Sequence, residues 1–125
     1  MARVHVAGAE GIPLLPGEHV AARLTANNVK PGRGGYEGYL FLTTLRLVHR
    51  PWPAAESRGA VPLCILWSDV AGADVAPRGR GWSDGSMRRR LRITLTSGQA
   101  EFFVVWRVNK SVELVDRVRR EAASR

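Results

Sequence analysis

Cysteine and lysine are nearly missing from this chain: its 125 residues hold one Cys and two Lys. A single cysteine, Cys64, can form no internal bridge, so the fold does not depend on an oxidising compartment. The apolar run around it, "VPLCILW", predicts a small buried thiol rather than a nucleophile. Long hydrophobic runs are missing too. No window approaches the roughly 18 apolar residues of a membrane-spanning helix, and the N-terminal "MARVHVAGAEGIPLLPGEH" has no continuous apolar stretch of the signal-peptide kind. The expectation is a soluble cytoplasmic protein, peripheral at a membrane if it meets one. Catalytic patterns are equally scarce. No Gly-x-x-x-x-Gly-Lys-Ser/Thr loop occurs. His5, His19 and His49 are isolated, without metal-ligand spacing. The eleven carboxylates are scattered along the chain. An enzyme is therefore not expected, nor is a metal or a cofactor.

What the chain does have is enough apolar material, 45% of its residues, to build a core unaided. Its length suits one domain over 1–125, with the structured core about 14–122. The net charge is +8, and it is concentrated: from Arg78 to Arg92, six arginines stand against Asp84 alone. Such a segment attracts phosphates, whether of lipid or of nucleic acid.

The periodicity predicts strands joined in hairpins. Residues 1–16 read as a lead-in rich in Pro and Gly, with a short strand at Arg3–Ala7. Val20, Ala22, Leu24 and Ala26 alternate on one face of a strand. "NNVKPGRGG" (27–35) follows as a loop. "EGYLFLTTLRLVHRP" predicts two strands turning near Thr43–Thr44, and "PWPAAESRGAVP" (51–62) a second loop. Residues 63–77 read as strand, turn at Ser68–Asp69, and strand. The basic loop precedes the clearest hairpin, "RLRITLTSGQAEFFVVW", which turns at Ser97-Gly98. Trp67 and Trp106 are placed in strands and expected to pack in the core or at a sheet end. The tail changes period: Val112, Val115, Val118 and Ala122 follow helical spacing, with Asn109 or Ser111 as N-cap. Acid-first pairs Glu113–Arg117 and Asp116–Arg120 support the helix. The fold class is α+β, mainly β: antiparallel hairpins with one C-terminal helix covering an open end.

The residues Gly38, Leu40, Leu42, Thr43, Arg46, Leu47 and Val48 match the pattern Gly-x-Leu-x-Leu-Thr-x-x-Arg-Leu-Val. In this the chain resembles the GRAM domain. "ILWSDVAGADV" and "RGWSDGSMRRRLRITLTSGQAEF" extend the likeness to the GRAM-like domain of the WW-domain-binding protein family. The resemblance implies a pleckstrin-homology-like fold, a bent seven-stranded antiparallel barrel capped by a C-terminal helix. It also implies a non-catalytic adaptor that binds a protein partner or an anionic membrane lipid surface. Lys30 and Arg33 occupy the loop where lipid-binding members carry basic residues.

Three sets of residues are candidates for recognition: Lys30 and Arg33 in the first hairpin loop, Trp52 between two prolines, and the basic loop with Arg78, Arg80, Trp82, Arg88, Arg89 and Arg90. Trp52 either inserts into a lipid interface or partner groove, or folds back over the sheet. The arginines either form a cationic docking arm or only a solvated loop, and alternate members of the Arg88–Arg92 run fall in a strand. Arg46 is expected to pair with Glu37 across the hairpin. Nucleic-acid binding by the same basic face is the alternative, although the aromatics do not interleave with arginines as a stacking platform requires.

Overall fold

The computed structural model describes residues 12–30, 34–78 and 88–125. The strand expected at Arg3–Ala7 lies outside them. Seven strands form: β1 (Val20–Lys30), β2 (Gly34–Thr43), β3 (Arg46–Pro51), β4 (Leu63–Leu66), β5 (Val70–Ala76), β6 (Arg90–Leu95) and β7 (Ala100–Val105). Among the described residues two α-helices accompany them, the short α1 (Pro53–Glu56) and the C-terminal α2 (Val108–Ala123). The strands make one sheet in the order β4-β3-β2-β1-β7-β6-β5, and every pairing is antiparallel.

That order forces the sheet to curl. Laid flat, seven strands span about 29 Å from first to last. Yet β4 and β5, the two outermost strands, are joined only by the 3-10 turn Trp67–Asp69, and a chain that short reaches roughly 14 Å at most. The edges must therefore approach each other. β1 makes the bend possible: it pairs with β2 along its whole length and with β7 through Ala26–Val29. Register shifts at Val20/Ala22 and Val70/Gly72 add twist. Gly38 marks the tightest approach between strands. A Cβ there would collide with the Arg50 carbonyl oxygen and lie 2.8 Å from Pro51 Cα.

The concave face buries Leu40, Leu42, Leu47, Ile65, Leu91, Ile93 and Phe103. α2 closes it with Val115 and Val118, each buried and each contributing about 1.5–2 kcal/mol of apolar burial. On the convex face of β2 and β3, Phe41 and Val48 are covered by Ile12 from the lead-in segment.

Several expectations are corrected. The loop read over 27–35 is mostly strand, because Asn28 stays in the ladder: its side-chain amide donates to Glu101 Oε1 and to the Phe102 carbonyl. The 51–62 loop contains α1, which starts on Pro53, where a missing N–H costs nothing. Cys64 is exposed, not buried: β4 is an edge strand, and its alternation buries Ile65 while turning Cys64 outward. The first turn of α2 has no side-chain cap. Its N-cap is Arg107, and Ser111 instead points its hydroxyl back to the Trp106 and Arg107 carbonyls at 3.2 Å. The ion pair that forms within α2 is Arg117–Glu121, at 3.9 Å.

Arg46 does not pair with Glu37. The β2–β3 register places them at opposite ends of the hairpin, roughly 20 Å apart, and Glu37 holds Arg58 at 3.0 Å instead. The partner of Arg46 is Glu18, whose side chain is fully buried. Arg46 Nε donates to Glu18 Oε2 at 2.8 Å, and Nη2 donates to Glu18 Oε1 at 3.1 Å and to the Pro13 carbonyl at 2.8 Å. The Thr43 hydroxyl gives Glu18 a third charge-assisted bond at 2.6 Å while accepting from the Leu45 and Arg46 amides. This network fastens the lead-in segment to the β2–β3 turn.

Burial pushes the Glu18 carboxyl up, but the bonds from Arg46, Thr43 and the Leu15 amide outweigh it and hold the group below its ordinary 4.5. A carboxylate whose folded value is lowered contributes stability above its unfolded value and loses that contribution as pH falls through the folded one. Glu18→Gln is therefore expected to destabilise by about 3 kcal/mol near neutral pH, since it strands a largely buried guanidinium. In urea melts the gap between wild type and variant should be constant above about pH 5 and narrow below about pH 4.5; a gap that ignores pH would show that the ion pair is not the source. Gly38→Ala should cost about 2 kcal/mol in the same melts, because β3 must move.

Candidate functional site

Strand register brings part of the basic segment to one place. Ala76 pairs with Arg90 and Leu91 with Phe103. Continuing each ladder outward sets Arg78 opposite Arg88 and lays the residues before Arg90 beside those after Val104. A pocket of about 390 Å³ opens there, lined by Arg78, Arg88, Arg89, Val105, Trp106, Arg107 and Val108, the first residue of α2. Among the described residues, four arginines face it and no carboxylate contributes to its lining. Arg89 is steadied by Asn109, whose Oδ1 accepts from Nη2 at 3.1 Å.

Trp106 and Arg107 were not among the expected site residues. Trp106, expected in a strand and packed in the core or at a sheet end, follows the last strand residue and is 79% exposed. The alternation explains this: Phe103 and Val105 point inward, so the next side chain points out, and β7 stops before Trp106. Arg107 then turns the chain into α2 with φ 54° and ψ 66°, the left-handed region that arginine rarely adopts. The tryptophan and the fourth arginine are thus held at the mouth by a strained junction. The signal available in the sequence was the dipeptide Trp106-Arg107 at the change from period two to helical spacing.

The other expected residues go elsewhere. Lys30 forms an ion pair with Glu101 at 3.8 Å. As the last residue of β1 it lies beside the start of β7, about 17 Å from the pocket at that strand's other end. Arg90 lays its guanidinium 4.9 Å from the Phe102 ring and donates to the Pro77 carbonyl at 3.2 Å, so it braces the sheet. Trp52 folds back and meets the Tyr39 ring edge-on at 5.5 Å, with Arg23 on that ring at 4.2 Å. Arg33, Arg80 and Trp82 lie outside the described residues. Arg92 is held by Asp74, whose carboxyl the Arg92 hydrogen bonds keep below the usual range; Arg58 does the same to Glu37.

Among the described residues, no group of three or more His, Cys, Asp or Glu is arranged to hold a metal ion. The Cys64 sulfur has Arg46 Nη1 at 3.4 Å. His49 is buried and hydrogen-bonds the Ala26 carbonyl through Nε2 at 3.0 Å, a role inside the sheet. No helix among the described residues is long and apolar enough to cross a membrane.

No protein-family model matches the sequence, and no curated protein matches it. Solved structures do. The C-terminal domain of an unknown protein from Leishmania infantum is similar with a TM-score of 0.64 at 12% identity, over 83% of this chain and 86% of that one. The Vps36 N-terminal PH domain is similar with a TM-score of 0.60 at 15% identity, over 90% of this chain and 84% of that one. At such identities the likeness is one of fold. Seven antiparallel strands bent into a single curled sheet, closed by one C-terminal helix, give this chain a pleckstrin-homology-like fold.

Proposed function

We propose that this chain is a non-catalytic binding module that docks on an anionic phospholipid surface through the pocket of Arg78, Arg88, Arg89, Trp106 and Arg107. The observation that carries the reading is the meeting of four arginines and a solvent-facing tryptophan at one mouth, with no carboxylate among the described residues that line it. Guanidinium groups bind phosphate oxygens in pairs of hydrogen bonds, which suits lipid headgroups. An indole prefers the boundary between headgroups and acyl chains. The strain at Arg107 fits a residue retained for what it presents rather than for stability. Nucleic acid is the weaker candidate, because among the described residues lining the pocket Trp106 alone offers a stacking platform, where a strand needs several. The GRAM attribution belongs to this same reading, resting on the motif from Gly38 to Val48. So does a location at the cytoplasmic face of a membrane, where anionic lipids collect.

Co-sedimentation with phosphatidylserine-containing vesicles tests the proposal. Replacing Arg88 and Arg89 by Ala should weaken binding roughly thirtyfold, at about 1 kcal/mol per arginine, and flatten its dependence on salt. Trp106→Ala should weaken binding while leaving the salt dependence unchanged. Binding that is equal on neutral vesicles, or equal to an oligonucleotide at physiological salt, would overturn the reading.

Arg107→Gly separates binding from folding. Glycine relieves the left-handed strain, so the urea midpoint should rise by an amount corresponding to about 1 kcal/mol. Vesicle affinity should fall about fivefold for the lost charge.

A further inference from the structure

A second concavity lies at the opposite end of α2, formed by residues separate from the phosphate pocket. It is a groove of about 700 Å³ between the β2–β3 turn, the Trp67–Asp69 turn and the last turns of the helix, within the size range of ligand sites. Its apolar wall includes Leu45, Leu66, Val70 and Ala122. Leu45 and Leu66 are 40% and 48% exposed, an unusual position for two leucines beside the core. Arg119 and Arg120 also line the groove, and no carboxylate among the described residues does. Arg119 spends one of its five N–H donors on the Ala71 carbonyl at 2.9 Å, which fixes the guanidinium in place. Asp116, one helical turn before Arg120, does not pair with it, and no other described carboxylate lies within 4 Å of Arg120.

We propose that this groove binds a short segment of a partner protein carrying apolar side chains next to a carboxylate. The apolar wall takes the side chains and the two guanidinium groups take the acid. The charge selects the occupant: a basic or neutral apolar segment would cover the half-buried Arg119 and the exposed Arg120 without supplying a counter-charge. The groove and the phosphate pocket are separated by the length of α2, about 18 Å from Val108 to Arg120. Both can therefore be occupied at once, which would make the chain a connector between a membrane and an acidic segment of a protein.

The probe is a fluorescein-labelled synthetic peptide of alternating leucine and aspartate. It is compared with a leucine–lysine peptide and an alanine–aspartate peptide, by anisotropy and by amide shift mapping on the nitrogen-15 labelled chain. The leucine–aspartate peptide should bind at least tenfold tighter than either control, and it should shift the amides of Leu45, Leu66 and Ala122 and the indole of Trp67. Replacing Arg119 and Arg120 by Glu, or making Leu66→Asp on the exposed edge, should weaken it at least tenfold with the melting temperature retained. Equal binding of the lysine peptide, shifts confined to Arg88, Arg89 and Trp106, or no binding at millimolar protein would each overturn the proposal. A concentration-dependent dimer abolished by Leu66→Asp would assign the groove to a second copy and overturn it as well. None of these results bears on vesicle binding by the phosphate pocket, which is measured separately.

Discussion

Three residues, Trp67 to Asp69, join the two outermost strands of a seven-stranded sheet. A connection that short cannot cross a flat sheet, so the sheet has to bend until its edges face each other. Much of the remaining architecture answers that demand. β1 is long enough to belong to both halves. Gly38 lets β3 press against β2 where a side chain would block it. Trp67 donates its indole N–H to the Thr43 carbonyl at 2.7 Å, tying the link to the β2–β3 turn. α2 then fills the hollow that the bend creates, with Val115 and Val118 buried.

The residues that carry the GRAM-like pattern turn out to be this architecture. Leu40, Leu42, Leu47 and Val48 are core, Gly38 is the close contact, and Thr43 and Arg46 clamp Glu18. None of them lines the arginine pocket. A motif of this kind reports how a sheet bends and not what it binds. Recognition therefore has to be sought where the strands end.

The strand ends divide the surface charge into two kinds. Arg46, Arg58, Arg90 and Arg92 are engaged by carboxylates, carbonyls or rings and stabilise the sheet. Arg78, Arg88, Arg89 and Arg107 face a common opening. The same residue type stands in two kinds of surroundings, and composition cannot separate them, because what differs is the neighbour that register supplies.

Much of the fold was readable from periodicity. The alternation around Leu91, Ile93 and Leu95 announced a hairpin, and the valines of the tail announced a helix, because each depends on spacing within a few residues. The candidate site was readable only in part: Arg78, Arg88 and Arg89 stand in an obvious basic run, but Lys30 and Arg90 share their sign without sharing their place. Local sequence determined the strands, the amphipathic helix and the concentration of positive charge. Tertiary structure alone decided that Arg46 meets Glu18, that Cys64 and Trp106 face outward, and that Trp106 and Arg107 join the arginines. Those outcomes depend on which strand lies at an edge and where a ladder stops, and long-range pairing sets both.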